Sequence, residues 1–384
     1  MNAIAPNSAA TLSDADRLKS FAAALDELKA RTEAKIGAAD LTYIRRLDAT
    51  SRGLEAVGRV LIHLSPGPIT WTAGVLALWL HKQLQATEVG HTVLHGAFDK
   101  IDGNGRFNSK SWRWDAPIDE EAWHEGHNLR HHQFTNIAGK DPDIHFGPVR
   151  LTEHTPHGPR HYIQLPFSLI ALFPNFGMTM NAHFSGLTDL YQGNGRADEF
   201  DFVKDRSWDS IRKAHWRAWR KYLPYYGKEM VFFPLLAGVF WWKVALGNWA
   251  SEVLRDLYTA ATIYCGHVGE DVKTFPEGTR AHGKGEWYAM QAEASQNYEV
   301  PLPLSVLSGA LDRQIEHHLF PRFPTNRLRE IGPEVRAICE AHGVAYTTGS
   351  WPSVLGKVLR RIGTLSFRTP AEVAAAQATA GAHV

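Results

Sequence analysis

The sequence predicts an all-α protein: a stalk of about four apolar helices, folded as two hairpins into a membrane, beneath a large cytosolic helical cap. Three observations lead there. Apolar runs are divided by chain breakers, at Ser65-Pro66-Gly67-Pro68 and again at Gly247. The polar stretches between the runs carry histidines four residues apart, the offset that puts two side chains on one face of a helix. Mean hydropathy is −0.27, so the apolar segments are a minority of the mass.

The 384 residues hold no Pro/Gly/Ser-rich linker, and the chain reads as one unit with ragged ends. Residues 1–20 form a disordered lead, 21–330 the main body, 331–368 a C-terminal part of the cap and 369–384 an alanine-rich flexible tail. Lys plus Arg (41) balance Asp plus Glu (40), which removes the basic field of a nucleic-acid binder. The two cysteines, Cys265 and Cys339, make no disulfide framework and fit a reducing compartment. The start of the chain lacks the basic-then-apolar pattern of a secretory signal, which places the N-terminus in the cytosol. Twenty histidines are the anomaly, and an excess of histidine points to metal or proton traffic.

In chain order, Phe21 to Ile36 has apolar residues at helical spacing and reads as an amphipathic surface helix. Gly53 to Leu84 is the first hairpin. Its first arm contains Arg59 and His63 and reads as shallow or buried in protein; its second arm runs from Ile69 without a breaker towards His91 and His95. Tyr162 to Met180 is apolar but interrupted by Pro166 and Pro174, giving a kinked or interfacial helix. Residues 212 to 226 alternate Arg and Lys with Trp and Tyr, the composition of the lipid headgroup level. Met230 to Leu246 is the strongest membrane candidate, and Val253 to Cys265 after Gly247 is its return arm, ending at His267.

Three clusters stand out among the histidines: His91-x-x-x-His95, His127-x-x-x-His131-His132 and Gln314-x-x-His317-His318. Three such groups can surround one metal centre, and the adjacent pairs His131-His132 and His317-His318 diverge by about 100° around a helix, so each doublet can serve two neighbouring ions. A dinuclear site is the simplest expectation. Imidazole serves iron, zinc and copper alike. A zinc protease needs His-Glu-x-x-His, and His124-Glu-Gly-His127 is one residue short. Structural zinc recruits thiolates, and soluble di-iron bundles use Glu-x-x-His repeats, which do not run through these clusters. His63, His81, His154, His157, His161, His215, His282, His342 and His383 read as ordinary surface or hydrogen-bonded residues, and His145 and His183 lie close enough to support a site. His124, on a face similar to that of His127, reads as a supporting residue rather than a ligand. Asp141, Asp143, Asp312 and Glu316 are the candidate carboxylates for orienting ligand rings, with ordinary surface carboxylates as the alternative.

The three clusters, in order, with Gly90-His-Thr-Val-Leu-His-Gly96, His127-Asn-Leu-Arg-His-His-Gln-Phe-Thr-Asn136 and Gln314-Ile-Glu-His-His-Leu-Phe-Pro321 around them, resemble the histidine boxes of the membrane fatty acid desaturases over residues 50–330. The resemblance implies a four-helix membrane stalk, a cytosolic cap and two iron ions held by His91, His95, His127, His131, His132, His317 and His318. It adds His267, which stands where the family has a ligand between stalk and third box. Gln314 stands where many members have histidine, as in the front-end desaturases, and its amide binds iron directly, through a water or not at all.

The same resemblance implies dioxygen-dependent introduction of a cis double bond into a fatty acyl chain, carried on CoA, acyl carrier protein or a lipid. The sequence holds no His-Pro-Gly-Gly haem motif, so electrons are expected from a separate ferredoxin or cytochrome b5 with its reductase. The N-terminus, C-terminus and active site are expected on the cytoplasmic side. Two other functions compete: a related histidine-box hydroxylase or ketolase acting on lipid, and a non-enzymatic membrane protein that binds metal or haem.

Overall fold

The computed structural model describes residues 13–103, 105–146, 148–192, 202–203, 205–370 and 372–373. The regular elements among them are helices, joined by two isolated β-bridges, Ile137 with Phe275 and Glu299 with Ser350. The expected disordered lead lies mostly outside the described residues, as does most of the alanine-rich tail. α1 (Asp14–Glu33) begins earlier than the apolar spacing suggests, because the Ser13 hydroxyl accepts from the Asp16 amide and caps the helix. Its buried face, Phe21, Leu25 and Leu28, packs into one apolar cluster with Ile315, Phe320 and Leu328 from beside and beyond the third histidine box.

α2 (Ala38–Leu64) and α3 (Pro68–Leu84) form the first hairpin, reversing at Ser65-Pro66-Gly67. They touch backbone to backbone: a Cβ on Gly58 would lie 2.8 Å from the Leu78 amide nitrogen, and one on Gly74 would lie 2.8 Å from that of Ile62. α3 does not stop at Leu84. It widens into a π turn, Gln85–His91, and ends as Thr92–Leu94, so the first box is the continuation of the hairpin's second arm.

α4 (Glu120–Trp123) likewise passes through a π turn, His124–His131, into His132–Phe134. α5 (Pro159–Phe184) is a 26-residue helix with π and 3₁₀ pieces around Pro166 and Pro174, in keeping with the expected kinks. Among the described residues it is the one helix long and apolar enough to cross a membrane.

α6 (Trp208–Tyr226) carries the basic aromatic run. Much of that run turns inward rather than towards a headgroup. Arg220 binds Asp119 at 2.7 Å through two nitrogens, Lys221 binds Glu120 at 2.7 Å and Arg217 binds Glu125 at 2.5 Å. The cations of α6 thus clamp the acidic start of α4 and fix the helix that bears the second box.

The second hairpin turns earlier than expected. α6 continues through a π turn to Leu235, the chain reverses around Gly238, whose φ of +54° suits glycine, and α7 (Trp241–His267) runs unbroken back to the site. Met230–Leu246 is therefore a turn with parts of two arms rather than one span. Gly247, the expected breaker, lies inside α7 because it lets Ile62 and Trp71 approach: a Cβ there would meet Ile62 Cγ2 at 3.0 Å. The chain continues with α8 (Lys284–Glu293), α9 (Leu302–Leu307), α10 (Gln314–Leu319), α11 (Thr325–Ala341) and α12 (Trp351–Thr364).

Candidate metal centre

The three boxes and the end of α7 converge. His91, His95, His127 and His317 bring one ring nitrogen each within 4.8 Å of one another, and His131, His267 and His318 do the same a few ångströms away. The doublet of the third box is split between the groups, with His317 in the first and His318 in the second. His132 lies between them, its ring 4.7 Å from His95, 4.8 Å from His317 and 4.4 Å from His318. The π turn of α4 explains this position. Hydrogen bonding at an offset of five brings His132 Nε2 to 3.2 Å from His127 Nε2, a pairing that the α-helical offset of four does not give.

Two of the rings, those of His131 and His318, are held from outside and open on the inside. His131 Nδ1 lies 3.0 Å from both carboxylate oxygens of Asp141, and its Nε2 is buried without a partner. His318 Nδ1 lies 3.1 Å from Gln291 Oε1 and from the Thr135 hydroxyl, and its Nε2 is likewise unpartnered. His267 Nδ1 donates to the Ala294 carbonyl at 3.2 Å. His317 Nε2 and His132 Nδ1 are also buried with no partner. Orphaned imidazole nitrogens in a dry interior are costly unless a cation takes their lone pairs, and an outer nitrogen bonded to an acceptor is how proteins fix a ligand tautomer. The residues present fit two transition-metal ions.

Electrostatics agree. Burial pushes His91, His95, His127, His132, His317 and His318 well below the usual imidazole range, with the neighbouring rings adding to the effect, so they stay neutral and offer lone pairs. His131 differs: burial lowers it, but Asp141 and Asp143 more than offset this and hold it at about 9. Asp143 Oδ2 stands 3.6 Å from His131 Nδ1 and 3.8 Å from His127 Nδ1.

Other residues singled out in the sequence sit elsewhere. The Asp312 carboxylate accepts from Ser305 at 2.7 Å, and Glu316 accepts from Tyr346 at 2.7 Å and Asn297 at 2.8 Å, both directed away from the rings. His124 is exposed, since the π turn shifts its face from that of His127. His183 bonds Thr188 and the Pro142 carbonyl, and His145 accepts from the Gly139 amide. Gln314 lies close in, with Nε2 2.6 Å from His267 Nε2 and a buried, unpartnered Oε1.

Several supporting residues carry no signal of their own in the sequence. Gln291 and Thr135 brace His318, and Trp123 stacks on His127 with centroids 4.6 Å apart. Asn136, at φ 55°, sends its amide to the carbonyls of His267, Lys273 and Ala294 at 3.1 to 3.2 Å, while its backbone N–H donates to Asp141 at 2.7 Å. Asparagine is one of the few residues that tolerates this left-handed conformation. It ties the second box to the end of α7.

A mostly apolar cavity leads from the centre, bounded there by His91, His127, His267 and Gln314 and farther off by Trp114, Phe176, Met180 and Ile263. A smaller neighbouring space shares Phe176, Met180, Ile263 and His267 with it.

The family model described as fatty acid desaturase matches residues 66–350, which contain every histidine of the two groups. The chain belongs to the fatty acid desaturase family. The desaturase is 32% identical over 364 residues to the NADPH-dependent stearoyl-CoA 9-desaturase of Mycobacterium tuberculosis, covering 93% of this chain and 82% of that one. It is 25% identical over 344 residues to human fatty acid desaturase 3, covering 87% and 70% of the two chains. With the acyl-lipid 8-desaturase of Rebecca salina it shares 29% identity over 237 residues, 60% of this chain and 47% of that one. It is an enzyme of fatty acid metabolism, an oxidoreductase.

A further group in the desaturase, Glu55, His81 and Asp115, resembles a metal site by spacing alone. Its charge is already neutralised: Asp115 binds Arg52 at 2.6 Å and Lys228 at 2.9 Å, and Glu55 binds Arg59 at 3.2 Å. It is an ion network between helices.

Proposed function

We propose that the enzyme introduces a cis double bond into a long-chain fatty acyl substrate at two non-haem irons, consuming dioxygen and two electrons from a separate protein. The observation that carries this is the convergence of the histidine rings, with His131 and His318 bonded on their outer nitrogens and open on their inner ones, at the head of an apolar cavity. Removing hydrogen from an unactivated methylene requires an oxidant stronger than any side chain, and bound iron with dioxygen supplies it.

His91, His95, His127 and His317 would hold one ion and His131, His267 and His318 the other, with His132 shared between the positions and Gln314 beside the second. Asp141, Gln291 and the Ala294 carbonyl keep the rings oriented. Phe176, Met180 and Ile263 hold the chain against the centre and keep water from it. The similarity to a stearoyl-CoA desaturase favours a saturated acyl-CoA as substrate over an acyl lipid.

The surface supports a membrane setting. Exposed apolar side chains gather at the two hairpin turns, Leu64 and Ile69 on one and Leu235, Val239 and Trp242 on the other. The turns are neighbours, since the Trp71 indole donates to the Lys243 carbonyl at 3.1 Å. From there α7 rises about 40 Å to His267, more than the thickness of a hydrocarbon core. Within α7, Glu252, Arg255 and Asp256 are buried against one another and against α3 and α6, and Lys243, near its start, bonds the His63 carbonyl at 3.0 Å. On this reading α2, α3, α6 with its continuation, and α7 form the stalk; 21–330 is the catalytic body and 331–368 part of the cap. Both termini and the site face the cytoplasm.

Expression in a host lacking the activity tests the proposal. Fatty acids that lose two hydrogens support desaturation, whereas gain of one oxygen would identify a hydroxylase. Purified protein should hold two irons per chain without a Soret band, and His95→Ala, His131→Ala and His318→Ala should each lose iron and turnover. Full activity in any of the three would count against the ligand set.

A further inference from the structure

We propose that Gly177, backed by the Arg255–Asp256 ion pair, is the wall that stops the methyl end of the acyl chain and thereby sets the longest chain the enzyme accepts. The inference rests on the desaturase reading of the cavity.

One face of α7 lines the cavity from the metal centre outward, through His267, Ile263, Thr259 and then Asp256 with Arg255, positions three to four apart. From His267 back to Asp256 is about 16 Å along the helix axis. At that far end the apolar lining gives way to charge. Arg255 binds Asp256 at 2.7 Å and Glu252 at 2.7 Å and donates to the Tyr225 hydroxyl at 2.9 Å. The Gly177 backbone N–H donates to the same Asp256 carboxylate at 3.1 Å. Arg255 is 2% exposed and Asp256 3%, so the end is closed to solvent.

Two features make this the methyl end. Every activated acyl carrier is bulky and anionic, whereas this end is sealed, and its guanidinium already faces two carboxylates. An anionic group would find no free cation there, since Lys82 is likewise taken, by Glu252 at 2.5 Å. An alkyl terminus needs no polar partner, but it cannot pass, because parting a buried ion pair leaves uncompensated charges in a low-dielectric interior.

Gly177 sets where the wall begins. A Cβ at this position would lie 3.0 Å from Pro117 Cγ, 3.1 Å from Arg255 Nη2 and 3.2 Å from Asp256 Oδ1. Gly177 lines the cavity where the packing leaves little room behind it, so a larger residue must extend into the cavity or press on the ion pair.

The test supplies fatty acids of increasing length, myristic to behenic, to a host that expresses the full chain and lacks the activity, and measures double bonds at each length and iron in the protein purified from the same cells. Wild type should show a steep cut-off, about tenfold or more between neighbouring even lengths, the discrimination a fixed wall gives against added methylenes. Gly177→Leu should move the cut-off to shorter chains, raising the ratio of palmitic to stearic product by about tenfold, and Gly177→Ala should move it the same way by less. An equal loss at every length in iron-loaded variants would overturn the wall and leave Gly177 a packing residue. Should the leucine variant fail to load iron, the alanine variant and the wild-type series decide, and a wild-type profile without a cut-off would overturn the inference on its own. No product at any length from iron-loaded wild type would instead overturn the desaturase reading beneath it.

Discussion

Asp141 lies with both carboxylate oxygens 3.0 Å from His131 Nδ1, and it receives the backbone N–H groups of Asn136 at 2.7 Å and Asp143 at 2.9 Å. The bonds fix the carboxylate before it fixes the ring. Asp141→Asn keeps the shape but removes the charge and one acceptor, and the expected result is a loss of about tenfold to a hundredfold in metal affinity. Iron titration of the purified protein, with helicity followed by circular dichroism, checks it. Unchanged affinity would show that Asp141 is a loop brace only.

Gln314 is the one member of the third box whose side chain carries an amide at the second histidine group, 2.6 Å from His267. A neutral amide is a weaker ligand than imidazole, and the expected outcome for Gln314→Ala is reduced turnover with two irons retained. Loss of one iron per chain in that variant would promote Gln314 to a required ligand.

Gly90 has no room for a side chain. A Cβ would lie 2.2 Å from the Trp114 indole nitrogen and 2.4 Å from the Gln85 carbonyl, both rigidly placed because that indole donates to that carbonyl at 3.0 Å. Gly90→Ala must displace the π turn that carries His91, and the expected result is loss of activity together with loss of iron. Iron content and turnover close to wild type would show that the turn is more pliable than its contacts indicate.

The start of α2 is held to α11 through Asp40, which is fully buried and accepts from Arg327 at 2.8 Å, Asn326 at 2.7 Å and the Gly37 backbone N–H at 2.9 Å. Burial alone would raise this carboxyl, but the three donors outweigh it and hold it below its ordinary value. A group depressed in the folded state contributes stability that is complete above its unfolded pKa, about 3.9, and is lost as the pH falls through the folded value. Thermal unfolding should therefore show an acid-dependent component below about pH 4 that Asp40→Asn removes. An identical acid profile in the variant would assign the acid sensitivity to other carboxylates.

The histidine boxes, their order and the first hairpin were legible in the sequence because each is a local pattern. Offsets of four mark helix faces, and Ser-Pro-Gly-Pro cannot continue a helix. His267 was legible only through the family resemblance. The supports of the site were not legible at all, since Gln291, Thr135 and Asn136 are common residues whose role depends on what reaches them from far along the chain. Asp312 precedes the third box and Glu316 lies within it, yet their carboxylates take partners on the opposite side.

The sequence by itself determined an all-helical chain with three histidine boxes and enough apolar length for paired hairpins. Tertiary structure decided the rest. The π turn of α4 brought His132 as well as His131 towards His127, a shift of one residue in hydrogen bonding that no local pattern announces. The turn of the second hairpin moved to Gly238, because Gly247 is needed where Ile62 and Trp71 press on α7. The charges within α2, α3 and α7 dilute their hydropathy, and only packing shows that Arg59 meets Glu229 at 2.6 Å across 170 residues of chain. A charge counts against burial until its partner is known, and the fold alone supplies the partner.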